Sequence, residues 1–161
     1  MTAQRHILEI ICEDEFALLA IHCREDDYNF AFFLNKYLGL SLKKKENDLD
    51  LLQKNIPVSF PLFEHRDEST ENVIFLVGNT FKTTYQKTTS AGSLFAQENE
   101  EKTYYLIPEY KKTDYFLKII SDSPKDVEEL FLSKVMKIPI VITAYSLDYT
   151  TLKSKQNLNF D

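Results

Sequence analysis

Carboxylates are the residues of this chain with the most to offer chemistry. Glu109, Asp114 and the triplet Glu13-Asp14-Glu15 are the candidates for acid–base work, which needs paired carboxyl groups whose proton affinities are pushed apart by their surroundings. Glu109 follows Pro108 and Asp114 precedes an apolar run, so the two bracket a turn. Their simpler use is local: Asp114 accepting backbone N–H groups across the turn, and Glu109 pairing on the surface with Lys111 or Lys112. Soft ligands are few. His6, His22, His65, Cys12 and Cys23 show neither helical i, i+4 spacing nor a C-x-x-C pair, so neither a metal site nor an activated thiol is expected. His22 and Cys23, adjacent on a strand-like run, must point to opposite faces. With Gly39, Gly78 and Gly92 as its only glycines, the chain has no Walker loop, dinucleotide fingerprint or nucleophile elbow. The expectation is a noncatalytic protein without a cofactor.

Aromatic residues suggest contact rather than catalysis. Tyr104, Tyr105, Tyr110 and Tyr115 gather around the turn that Glu109 and Asp114 bracket, and strand alternation sends Tyr104 and Tyr105 to opposite faces. Exposed rings of this kind stack on single-stranded nucleic acid or fill protein interfaces. A formal net charge of −6, and the neutralisation of Lys43-Lys44-Lys45 by Glu46, Asp48 and Asp50, favour a protein partner. RNA contact through those lysines or through Lys111 and Lys112 is the weaker alternative. Leu94-Phe95, an apolar pair in a polar stretch, either clamps to its own body or inserts into a partner. The partner-binding candidates are thus Leu94, Phe95, Tyr104, Tyr105, Glu109, Tyr110, Asp114 and Tyr115.

These residues need a scaffold, and the hydrophobic pattern supplies one. The 161 residues suit one domain, and 43% hydrophobic content with twelve Phe and nine Tyr provides a core without disulfides. Ile7 to Cys12 and Phe16 to Cys23 read as strands. Asp26 or Asp27 caps a helix from Tyr28 to Leu38, stopped by Gly39, with Ala31, Leu34 and Leu38 on its buried face and Phe30, Phe33 and Tyr37 widening the stripe. An aromatic flank left uncovered there would be a partner surface. Val58 to Phe63, with Pro57 before it and Pro61 within it, reads as an edge strand, Asn72 to Val77 as a cleaner one, and His65 to Thr70 as their connection. Residues 82–102 read as a long mobile loop. Strands at Thr103 to Ile107 and Asp114 to Ile120 precede a helix opened by Ser123-Pro124, with Val127, Leu130, Phe131 and Val135 buried. Ile140 to Tyr145 is the last strand.

Two strand–helix–strand units predict an α+β fold, a two-layer sandwich with two main helices on one face of a mostly antiparallel sheet, ferredoxin-like with additions. One domain spans 1–149, and 150–161 is a tail that packs back loosely. The other sheet face is left to the loop, the tail or a second subunit of a homodimer. No apolar run suits a signal peptide or a membrane span, so a cytoplasmic location is expected.

Ile107-Pro108-Glu109, followed by Asp114-Tyr115, resembles the signature of the IPExxVDY family, small proteins of Bacteroidetes, with Tyr110, Lys111 and Lys112 between Glu109 and Thr113. The preceding tyrosines and the segment from Ile138-Pro139 to Tyr145 are also similar, so the resemblance spans nearly the whole chain. It implies a bacterial cytoplasmic protein and carries over no activity, cofactor or catalytic residue. The function expected is a protein-interaction module, with a small-metabolite-binding or regulatory domain as the alternative and an accessory RNA-binding protein as the third.

Overall fold

Strand β1 (Phe16–Cys23) is apolar on both sides, and the fold follows from that. In the computed structural model, which describes residues 15–88 and 97–160, alternation sends Ala17, Leu19, Ile21 and Cys23 to one core and Leu18 and Ala20 to another. A strand buried on both faces must lie inside a sheet covered on both sides. The expected strand at Ile7 to Cys12 falls outside the described residues.

Helix α1 (Asp27–Leu38) follows β1. Asp26 caps it, its carboxylate accepting from the Asn29 amide at 2.8 Å, and Gly39 closes it in the left-handed conformation at φ 68°, which only glycine adopts without strain. Next come β2 (Lys43–Lys44), the hairpin β3 (Leu49–Gln53) and β4 (Ile56–Phe60), β5 (Leu62–Arg66) and β6 (Val73–Gly78). Lys54 and Asn55, both at positive φ, form the two-residue turn between β3 and β4. The run expected as one edge strand is thus two strands that part at Pro61, where the chain leaves the hairpin and enters the main sheet. There β5 lies inside the sheet, between β6 and β2. His65 and Arg66 belong to β5 rather than to the turn after it.

Residues expected to form a loop are instead strands β7 (Thr80–Thr88) and β8 (Gln97–Tyr105), paired in register from Thr80–Tyr105 to Thr88–Gln97. The polar composition that suggested a loop is also what a ribbon needs where both its faces meet water, and its threonines and tyrosines favour extended backbone. Leu94 and Phe95 lie outside the described residues. Strand β9 (Tyr115–Ile120), helix α2 (Pro124–Val135) and strand β10 (Val141–Leu147) complete the strands and α-helices of the described residues.

The main sheet has the order β10-β1-β9-β6-β5-β2, with every neighbouring pair antiparallel. It is an α+β sandwich. Both helices cover one face, where Phe30, Ala31, Leu34 and Leu38 of α1 and Val135 of α2 meet the β1, β6 and β9 side chains. In α2 the inward residues beside Val135 are Val127, Phe131 and Leu132, whereas Leu130, expected to be buried, is exposed because it stands on the helix's outer flank. The far face is not open. Val58 and Phe60 of the hairpin, Leu106 and Ile107, and Leu152, Leu158 and Phe160 of the tail bury it, so the tail packs tightly rather than loosely. Among the described residues, no helix is long and apolar enough to cross a membrane.

Candidate functional site

The segment from Leu106 to Tyr115 links the ribbon to β9 as a short 3-10 turn at Pro108–Tyr110 and a compact return. A residue that sequence reasoning missed shapes it. Asn79, fully buried between β6 and β7, donates through Nδ2 to the carbonyls of Tyr110 (2.9 Å) and Thr113 (2.8 Å) and accepts at Oδ1 from the Ile107 amide (2.9 Å). Its own N–H donates to Asp114 O, and its carbonyl accepts from the Leu106 N–H. A loop with its carbonyls turned inward stays folded only when such a partner satisfies them. The sequence signal was slight: an Asn directly after the glycine that ends an apolar strand.

Glu109 does not pair with Lys111 or Lys112. Its carboxylate reaches the tail, accepting from the Lys153 amide (2.8 Å), the Ser154 amide (3.2 Å) and Ser154 Oγ (2.6 Å). Partial burial alone would raise its pKa, but these hydrogen bonds outweigh it and hold the carboxyl below its ordinary value. Asn157 Nδ2 fastens the tail again at Leu106 O (2.8 Å). Lys118, on β9 and nearly buried, donates to Leu158 O at 2.8 Å, with its ammonium 4.5 Å from the Phe16 ring centre and 5.0 Å from that of Phe160.

Asp114 and Tyr115 fasten the other end. Asp114 accepts not across its own turn but from the Cys23 amide at the end of β1 (2.9 Å), and Tyr115 Oη donates to Glu25 O (2.6 Å), with its ring against Phe30. These residues border a cleft of about 390 Å³ that Arg24, Asp27, Pro61 and Thr80 complete. Burial pushes the Cys23 thiol up, and the Glu25 and Asp114 carboxylates reinforce this against one backbone hydrogen bond, so the thiolate is disfavoured. Burial likewise raises Tyr115, with the negative charge of Asp27 acting the same way, and its phenol stays protonated. Neither group is poised as a nucleophile.

Of the remaining candidates, Tyr104 is buried against Phe81 and carries the Lys102 ammonium over its ring at 5.1 Å. Tyr105 is half-buried beneath Lys111, and Tyr110 is half-buried near Tyr145. The tyrosine-rich turn therefore holds the molecule together. Exposed aromatic surface lies on α1, where Tyr28, Phe32 and Tyr37 are 63%, 61% and 40% exposed. Phe32 meets Phe33 edge-on, and Phe33 stacks on Tyr37. The sequence did contain the signal: at 3.6 residues per turn, Phe32 lies roughly 160° from the inward Leu34.

Comparison of the chain with protein-family models, curated proteins and solved structures finds no match.

Proposed function

We propose that the protein is a noncatalytic, cytoplasmic protein-interaction module whose contact surface is the outer face of α1. The observation that carries this reading is the ring cluster of Phe32, Phe33 and Tyr37, with exposed Tyr28 on the same helix and Phe32 more exposed than a ring held for packing needs to be. The core is read as ferredoxin-like: the strands flanking the two helices follow the order β10-β1-β9-β6, the fourth, first, third and second of a β-α-β-β-α-β unit. Kinship with the IPExxVDY family is proposed on Ile107-Pro108-Glu109 and Asp114-Tyr115, whose roles as fasteners give that pattern a structural reason to exist.

The test is purification of the tagged protein from its native cells, with and without ribonuclease, beside the Phe32→Glu variant. A protein companion, an untagged copy included, that resists ribonuclease and is lost with Phe32→Glu at unchanged melting temperature is the expected result. A solitary protein overturns the reading, and a ribonuclease-sensitive companion replaces it with RNA binding. A small-ligand role is favoured by the charged cleft around Arg24, Asp27 and Asp114, and thermal shift against a metabolite panel tests it.

A further inference from the structure

Strand β1 has no free side. It pairs with β10 on one flank and with β9 on the other, so the residues that precede it cannot fold back as its hairpin partner. Yet the run just before it, Ile7-Leu8-Glu9-Ile10-Ile11-Cys12, has the apolar, β-branched composition that favours an extended strand with a partner. The two faces of the sheet are taken as well, one by the helices and the other by the hairpin, the turn and the tail.

What remains is an edge, and the two edges of the sheet are finished differently. At one end β2 is two lysines long, a short charged strand of the sort that discourages further pairing. At the other end β10 carries no charge and no proline across Val141–Leu147, and its Ile142 is 62% exposed. Ile142 is also the extra residue where the register with β1 shifts, which leaves Thr143 to Leu147 as a regular edge. About half of the backbone N–H and C=O groups of that stretch point away from β1, and no strand among the described residues pairs with them.

Reach decides which segment can fill it. Glu15, the residue before β1, lines a groove of about 980 Å³ together with Ser146 and Leu147 at the end of β10. A strand added outside β10 lies two strand spacings from β1, about 10 Å, and residues 13–15 bridge from Cys12 to Phe16 in four Cα steps of about 3.8 Å each. The β2 edge, four spacings from β1 on the other side or about 19 Å, is beyond that reach. A connection this short reverses the chain, so the added strand runs opposite to β1 and therefore parallel to β10. We propose that the outer edge of β10 is a strand-accepting site and that residues 8–12 of this chain occupy it, parallel to β10, with Leu8 near Thr143 and Cys12 near Leu147. Glu13 and Asp14 then cross beside Asp126, Glu128 and Glu129 of the groove, a like-charge cost that is small for solvated groups beside the burial of Leu8, Ile10 and Ile11. The site is independent of what α1 binds.

Hydrogen exchange of the full chain, followed residue by residue, tests the site. The outward-facing amides of Thr143 to Leu147 should exchange at least about ten-fold more slowly than open backbone, to the same degree at every protein concentration. Ile10→Pro should abolish that slowing while the amides bonded to β1 keep theirs, the sign that the sheet is still folded. Outward amides that exchange freely in the unaltered chain overturn the proposal. Slowing that grows with concentration and survives Ile10→Pro puts a second copy on the edge, and overturns it too. A spin label on Gln4→Cys, in a Cys12→Ser background where the remaining Cys23 is buried, reports the direction and should broaden the Thr143 amide more than the Leu147 amide. The reverse order overturns the parallel arrangement, and broadening of neither overturns the docking whatever Ile10→Pro does.

Discussion

The two faces of the central sheet are buried by different means. On the helix side, α1 and α2 lay regular stripes of Leu34, Ala31, Val127 and Val135 over β1, β6 and β9, and the contact is apolar throughout. On the far side, a hairpin, a turn and an irregular tail do the covering, and polar stitches position them: Asn79 under the turn, Glu109 at Ser154, Asn157 at Leu106 and Lys118 at Leu158. A helix brings its own backbone hydrogen bonds to an interface, whereas an irregular segment must find partners for its N–H and C=O groups there. The apolar residues of both faces obey the same alternation, and the difference lies in who satisfies the backbone.

Breaking a stitch should therefore cost more than its size suggests. Asn79→Ala strips the Ile107 amide and the Tyr110 and Thr113 carbonyls of their partner in a site water does not reach, and a loss of about 4 kcal/mol in urea unfolding is expected. Asn79→Asp should not rescue it, because a carboxylate oxygen would then face those two carbonyls. On the helix side Leu34→Ala should cost about 3 kcal/mol through the cavity alone, leaving hydrogen exchange of the tail amides unchanged. Phe160→Ala, in which the tail can relax, should cost about 2 kcal/mol and speed exchange at the Lys153 and Ser154 amides while those of α1 keep their protection.

Glu109→Gln should have the smallest effect, about 1 kcal/mol at neutral pH, since the clasp is partly exposed and an amide oxygen still accepts. Its pH dependence sharpens the contrast. The folded carboxyl titrates below its unfolded value, so its contribution is complete above the ordinary glutamate range and is lost as pH falls through the lower, folded pKa. Wild-type stability should thus fall on acidification more steeply than that of Glu109→Gln, and tail amides should open before those of α1. Equal slopes for the two proteins would show that the clasp carries no charge-dependent stability.

What the sequence made legible follows the same division. The Phe16–Cys23 strand, the Asp26 cap, the Gly39 stop and the Pro124 start were readable because each is a local signal with one physical meaning. The β7–β8 ribbon was misread since its polarity says only that both faces meet water, and a loop meets water too. Glu109 and Asp114 stood out in the sequence but were wrongly paired, because their partners lie 45 and 91 residues away, at Ser154 and Cys23, and no local pattern encodes that distance. Tyr104 and Tyr115 looked like contact residues and are buried, while Phe32 was legible on a helical wheel.

The tail that seals the far face also sets an order of events during synthesis. Residues 152–160 are made after every strand of the described sheet, so the part of the far face that the tail covers, including Phe75 beneath Phe160, stays open to water until they emerge and Glu109 finds Ser154. A chain that stalls or is cut before that point ends with a greasy sheet face on display, the kind of surface that chaperones and proteases read as unfinished. Sealing of that part of the face waits on residues 152–160, so this short segment separates a closed sheet from one still open to other chains.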